Sequence, residues 1–335
     1  MIQLAAKGIR ATFDPNGGHL PGLVIDGVQV LHTAPWRAEP DIQSDTAIPW
    51  VDRRLGGTFV CAPFGLDDVD HGPPHGAPAN NRWHVTATSP QALTATLAVP
   101  RGSIRAQIAL RPGHPVLYQT HTLDLAQPCT FAHHPMFRLA AGGEVSTGPL
   151  KCVRTFAAPT AEGHALYHPG QVTSGDVLET SAGPRPWRQY PDQTCEDFLA
   201  IVHRPGLAWT ALRRHGEGDT LLLLKRSEQL PLTCLWMSNG GRQSSPWNGC
   251  HGGVLGIEDA ICAGADGFAA ALSGATDLSE DHVPLALPPG RHVIPHAILR
   301  IPEALTVTDV TLDDALRVQT TEGPHTVPFA PEHFQ

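Results

Sequence analysis

A carboxylic acid and a small set of histidines carry the chemistry that this sequence can offer. Glu258 follows the apolar run Val254-Leu255-Gly256-Ile257. His133 and His134 stand side by side in Phe131-Ala132-His133-His134-Pro135-Met136-Phe137-Arg138-Leu139, and His75 opens His75-Gly76-Ala77-Pro78-Ala79-Asn80-Asn81-Arg82-Trp83. Burial raises a carboxyl pKa and a nearby imidazolium lowers it. A carboxylate and a histidine brought together can therefore divide base and acid roles near neutral pH. Read alone, Glu258 is a glutamate at the end of a strand over 254–257, half desolvated at a sheet rim, and each histidine is equally a hydrogen-bonded structural residue.

Neighbouring residues of an extended segment point to opposite faces, so only one of His133 and His134 can enter a given site. Pro135 biases His134 toward extended geometry and restricts its direction. His134 is the expected acid, with His133 as support or an outer contact. His71 and His75 are four apart, a metal-pair spacing on a helix, but Gly72-Pro73-Pro74 between them opposes a helix. His71, His75, His134 and Glu258 could supply a metal only by convergence in space, and no local ligand spacing supports one. The expectation is a site without metal or cofactor.

The elements that must position these residues read as strands. The chain has 335 residues, with 33 glycines and 32 prolines, roughly a fifth of the chain against a usual share of about 12%. Such punctuation suits many short strands and leaves little room for long helices. Asp26-Gly27 between Leu23-Val24-Ile25 and Val28-Gln29-Val30-Leu31 signals a two-residue hairpin. Trp83 to Thr88, Ala92 to Val99, Ser103 to Leu110 and Val116 to Leu123 read as four strands with tight turns between them. Strands resume at Phe198 to His203, Ala208 to Arg213, Thr220 to Lys225, Leu232 to Met237, Val254 to Ile257 and Val293 to Ile301, with Thr306 to Leu312 as one more. The stretch from 140 to 194 is poorly patterned, and Phe268 to Leu272 fits either a helical turn or a strand. The expected architecture is all-β, a large antiparallel β-sandwich with little helix, in one domain over 1–335.

The formal net charge is −9, and no basic stretch runs far enough to track a nucleic-acid backbone. No apolar run approaches the ~20 residues that span a bilayer. No nucleic-acid or membrane partner is expected. Cys61, Cys129, Cys152, Cys195, Cys234, Cys250 and Cys262 are odd in number and contain no C-x-x-C pair. With no basic segment and apolar run at Met1-Ile2-Gln3-Leu4, the expectation is reduced thiols in a cytoplasmic protein, as a monomer or homodimer. Phosphate-loop, serine-hydrolase and dinucleotide fingerprints are not found. Trp236 and Trp247 flank the loop that begins Ser238-Asn239-Gly240-Gly241-Arg242. An indole face can cover the C–H surface of a sugar, a role assigned to Trp247, while Trp236 reads as core.

In order and spacing the set resembles the aldose 1-epimerase (galactose mutarotase-like) family. Gly56-Gly57 with Pro63-Phe64-Gly65, His75-Gly76 with Trp83, His134 with Phe137 and Leu139, and Glu258 after a short apolar strand carry the resemblance. It implies a supersandwich fold and interconversion of the α and β anomers of a free sugar. By the resemblance, Glu258 is the base on the C1 hydroxyl, His134 the acid on the ring oxygen, and His75 a hydrogen-bonding group at the anomeric region. Arg54, Asn80, His133 and Trp247 are the expected substrate contacts. Ala79 stands nearest to an arginine of sugar-phosphate relatives, Met136 stands where an aromatic is common, and Asp192 or Asp197 is the candidate for the family's substrate-binding aspartate. The competing functions are a carbohydrate-binding protein without turnover and a metal-dependent sugar isomerase or lyase.

Overall fold

The computed structural model describes residues 1–158 and 163–334. Two eight-stranded antiparallel sheets dominate it. The first runs Val172–Thr173, Leu150–Thr155, Cys195–His203, Leu232–Asn239, Val254–Ile261, Phe131–His133 and Val60–Cys61, with Met136–Arg138 also paired to Val254–Ile261. The second runs Gly143–Thr147, Leu207–Arg214, Asp219–Arg226, Gly290–Ile301, Val116–Leu125, Gly102–Ala109, Ala92–Val99 and His84–Thr88. Leu199, Ile201, Leu235 and Ile257 of the first sheet share one core with Leu221, Leu223, Ile294 and Ile298 of the second. The expected antiparallel sandwich is what forms.

Both sheets are covered on their outer faces as well. Trp36, Phe59, Phe64, Trp236 and Trp247 build a cluster on the far side of the first sheet. A three-stranded sheet of Val307–Leu312, Leu316–Thr320 and Gly323–Val327 packs its Val310, Leu316 and Val318 against Tyr118, Trp209, Leu222 and Leu299 of the second. Two-sided burial explains why Leu221 to Leu224 read as a continuous apolar run rather than an alternating one.

The local readings hold where turn chemistry is strong. Asp26 and Gly27 take φ of 49° and 81°, as a type I′ turn requires, between His19–Ile25 and Val28–Gln29. Phe268 to Ser273 is a short α-helix closed by Gly274 at φ 75°. Strands missing from the sequence reading are Ile2–Ala6, the pairs within 143–155 and 172–186, and the last two strands of the C-terminal sheet. They are short or half exposed, so their side chains alternate weakly.

One correction matters for the site. The strand expected to stop at Ile257 continues to Ile261, and Glu258 lies in its middle rather than at a rim. Two consecutive acids look like a strand end. The strand continues because Asp259 is neutralised inside the sandwich. Its carboxylate meets Lys225 Nζ at 2.8 Å and His296 Nε2 at 2.9 Å, both on the second sheet, and accepts from Thr233 Oγ1 at 2.6 Å. The Lys225 ammonium, then His296, hold the Asp259 carboxyl well below the ordinary range against the opposing effect of burial.

Removing the acid leaves the Lys225 ammonium buried without a counter-charge, bonded only to the Leu232 carbonyl and Thr233 Oγ1. Asp259→Ala is expected to cost about 3–5 kcal/mol, read from the shift of the urea midpoint, and a loss under 1 kcal/mol would contradict the clamp. Stability should also fall on mild acidification. Burial pushes His19 and His121 down to about 3 and His32 and His75 to about 4. It holds His133, His134, His203 and His251 well below 6.5. The unfolded chain takes up these protons near pH 6.5, so stability drops as pH falls through 6.5 toward 4. Asp52, Glu196, Asp197 and Glu258 are raised by burial and pull the other way, but the imidazoles outnumber them. Denaturation midpoints that stay flat from pH 7 to 5 would refute this balance.

Candidate active site

Strand register brings the acid and the histidine together. His133 pairs with Asp259, and Met136 pairs with Gly256 on the same strand. The same register sets His134 opposite Glu258, and directly opposed residues share a sheet face. The alternation then sends His133 and Asp259 into the sandwich and His134 and Glu258 to the outer face. The Ile257 N–H donates to the Pro135 carbonyl at 3.0 Å, and the His134 N–H donates to the Phe59 carbonyl at 2.9 Å. Gly256 leaves the room that the acid needs, since a Cβ there would lie 2.8 Å from Glu258 Oε1.

His134 Nε2 approaches Glu258 Oε1 to 3.2 Å, and both residues are buried. The approach is close but not aligned as a hydrogen bond: Glu258 Oε1 and His134 Nδ1 have no hydrogen-bond partner among the described residues. Buried polar atoms in a native fold are seldom left so. Burial pushes the Glu258 carboxyl well up, with the Arg242 cation pulling it back. Burial, then the neighbouring His75, pushes the His134 imidazole well down. Both directions favour a pair that holds one proton between them, with two neutral groups in the resting cleft.

Aromatic packing fixes the imidazole. His134 stacks on Phe59 at 4.5 Å between centroids, and Phe59 stacks on His19 at 4.5 Å. His19 donates from Nε2 to the Ala79 carbonyl at 3.2 Å and accepts at Nδ1 from Arg37 Nη1 at 3.4 Å. His75 meets His134 edge to face at 5.0 Å. Its backbone is left-handed at φ 61°, and Gly76 follows at φ 70°. A Cβ on Gly76 would fall 2.1 Å from the Ala62 carbonyl oxygen, so this turn demands glycine. Gly65 N–H donates to His75 Nδ1 at 3.4 Å, and the Cys61 sulfur lies 3.2 Å from the same nitrogen. Burial keeps the Cys61 thiol protonated. His75 Nδ1 is thus an acceptor, and the ring hydrogen sits on Nε2.

These three residues line a cavity of about 480 Å³ together with Asp52, Phe64, Phe198, Trp236, Arg242 and Trp247, among others. Trp236, read from sequence as core, is part of the cavity wall. Arg242 enters from the loop between Leu232–Asn239 and Val254–Ile261, its guanidinium 4.6 Å from the Trp247 ring centre and 5.4 Å from that of Trp236. Arg242 Nε pairs with Glu196 Oε1 at 2.9 Å, and Glu196 also accepts from Trp236 Nε1 at 2.6 Å and Ser238 Oγ at 2.9 Å.

Of the expected residues, Glu258, His134, His75 and Trp247 meet in this cavity. Three others lie elsewhere. The Arg54 guanidinium sits over the Trp50 ring at 4.9 Å. The Asn80 amide donates to the carbonyls of Pro74 and Gly76 at 2.7 Å, and its oxygen accepts from Val51 N–H at 3.1 Å. His133 is fully buried between the sheets and stacks on His296 at 4.1 Å. Asp197 accepts from the N–H groups of Leu166 and Tyr167, and Asp192 is paired with Arg185 outside the cavity. His71 is exposed and does not line the cavity. Among the described residues no group of three or more acidic, histidine or cysteine side chains is arranged to hold a metal. Sequence reasoning missed Asp52 and Arg242. The flanking tryptophans were the available signal for Arg242, and Asp52 in Val51-Asp52-Arg53-Arg54 offers none.

No family model matches the sequence, and no curated protein matches it. Solved structures do match the fold. A galactose mutarotase related enzyme from Lactobacillus acidophilus superposes with a TM-score of 0.57 at 13% identity, covering 90% of this chain and 97% of its own. An aldose epimerase homologue from C. elegans gives 0.58 at 13% identity, covering 90% and 98%. A galactose mutarotase-like protein from Lactobacillus casei gives 0.55 at 14% identity, covering 90% and 100%. With its paired eight-stranded sheets and its cavity on the outer face of one of them, the chain has the galactose mutarotase-like fold.

Proposed function

We propose that the protein interconverts the α and β anomers of a free aldose by acid–base ring opening and closure. The observation that carries this reading is the buried contact of His134 with Glu258 on the wall of an open cavity. Ring opening needs one proton removed from the C1 hydroxyl and one delivered to the ring oxygen. Those two oxygens are bonded to the same carbon, so an acid and a base 3.2 Å apart can reach both. Glu258 takes the hydroxyl proton as His134 gives one to the ring oxygen. The C1–C2 bond then rotates, and closure reverses the transfers on the other face of the carbonyl.

The total proton count supports the scheme. A neutral pair and a carboxylate–imidazolium pair hold the same number of protons, so a polar sugar entering beside them can redistribute the proton without uptake from solvent. The unpartnered Glu258 Oε1 is where a C1 hydroxyl gains its hydrogen bond. His75, with its hydrogen on Nε2, donates to an oxygen at the anomeric centre. Trp247 supplies an apolar wall against the sugar ring.

Polarimetry or NMR of freshly dissolved single anomers over a panel of sugars tests the reading. Glu258→Gln and His134→Ala are each expected to lower kcat by roughly a hundredfold or more, while circular dichroism shows the fold retained. Unchanged acceleration in both variants would exclude the mechanism, and saturable sugar binding without acceleration by the wild type would identify a binding protein instead. Because burial holds His134 well below 6.5, the pair gains a second proton only in more acidic solution. The acid limb of kcat/KM should therefore lie below pH 6.5, and a half-maximal point at or above 6.5 would contradict the assigned pair.

A further inference from the structure

Besides the acid–base pair, the cavity lining carries two charged groups with spare hydrogen-bonding capacity. Asp52 lines the cavity, and its backbone carbonyl accepts from Trp36 Nε1 at 2.7 Å. Among the described residues its carboxylate has no hydrogen-bond partner. Burial raises that carboxyl to about 6, and the Arg242 charge pulls it back. Arg242 uses Nε on Glu196, while its two Nη groups bond to no described residue. The indoles of Trp236 and Trp247 hold the guanidinium in place. A fixed donor fork and a carboxylate acceptor that line one cavity, close enough for the Arg242 charge to act on Asp52, match two adjacent ring hydroxyls, each of which both donates and accepts.

The remaining charge on the wall is negative. Asp68 and Asp266 also line the cavity. Asp68 Oδ1 accepts from Ala269 N–H at 2.8 Å and Asp266 Oδ2 from Thr276 Oγ1 at 2.5 Å, and no described cation pairs with either. Among the described residues Arg242 is the one lining cation, and it is already matched by buried Glu196. A phosphate or carboxylate entering this cavity would meet like charge in a partly desolvated space, where such repulsion is weakly screened.

Resting on the sugar reading above, we infer that Asp52 and Arg242 are specificity-determining residues that together read two neighbouring hydroxyls of an uncharged sugar ring, and that the cavity rejects sugars bearing a phosphate or carboxylate. The wild type, Asp52→Asn and Arg242→Lys are assayed for anomer exchange and for binding. The ligands are neutral aldohexoses, aldohexose 6-phosphates and hexuronates, each at two salt concentrations. Expected is activity on one or more neutral aldoses at a KM at least tenfold below that for the charged sugars. Both variants are expected to raise KM for the neutral sugar about tenfold, the loss of one hydrogen bond to a charged group, with a smaller change in kcat and an unchanged melting temperature. A wild type that prefers a phosphorylated or acidic sugar would overturn this inference and leave the anomerase reading standing, as would unchanged KM in both variants. Neutral-sugar binding that weakens in both variants, with no exchange in the wild type, would support the inference and sink the anomerase reading. No sugar binding of any kind would overturn both.

Discussion

The buried contact of Asp259 with Lys225 and His296 anchors the strand that presents Glu258 to the cleft. It joins the two sheets at a point where neither could otherwise accept a charge. A one-residue slip of the Val254–Ile261 strand would put Glu258 inside and Asp259 in the cavity, since the side-chain period of a strand is two. In the observed register Asp259 has two partners on the inner face and a hydroxyl from Thr233, while Glu258 faces the cavity. The charge pairing thus holds the sheets together at the strand that carries both acids. His133 belongs to the same interior, packed flat on His296, and its position sends His134 outward.

On the outer face the environment works by leaving groups short of partners. Cys234 and Phe59 border the Glu258–His134 row on either side in the sheet, and neither hydrogen-bonds the acid. Desolvation then opposes charge on both members of the pair, which keeps one mobile proton between them. Where the sheet must hold a group still, it uses stacking: His19, Phe59 and His134 form a column tied at one end to the Ala79 carbonyl and to Arg37. Stacking constrains the imidazole plane without consuming the Nδ1 and Nε2 lone pairs and hydrogens.

Several features were legible in the sequence because their causes are local. The Asp26-Gly27 hairpin and the strands between Ala92 and Leu123 follow from backbone sterics and side-chain period. His134, rather than His133, as the outward residue follows from the alternation and from Pro135. The extent of the Glu258 strand was not legible, since Asp259 is tolerated only through Lys225 and His296, which are distant in sequence. Arg54 and Asn80 looked like ligand contacts by residue type, yet one lies over Trp50 and the other closes a turn through Pro74 and Gly76. The C-terminal strands after Leu312 escaped notice because they gain their order by covering Tyr118, Trp209 and Leu299.

By itself the sequence determined an all-β chain with one acid and two histidine stretches able to share proton transfer. Period, turn residues and proline placement act over a few positions, and those are properties of the chain alone. Tertiary structure decided which groups face the same space. It set Glu258 opposite His134 through strand register, brought Asp52 and Arg242 to one cavity from segments about 190 residues apart, and withdrew His133 into the sandwich. Those outcomes depend on pairing between distant strands and on where buried charge finds a partner.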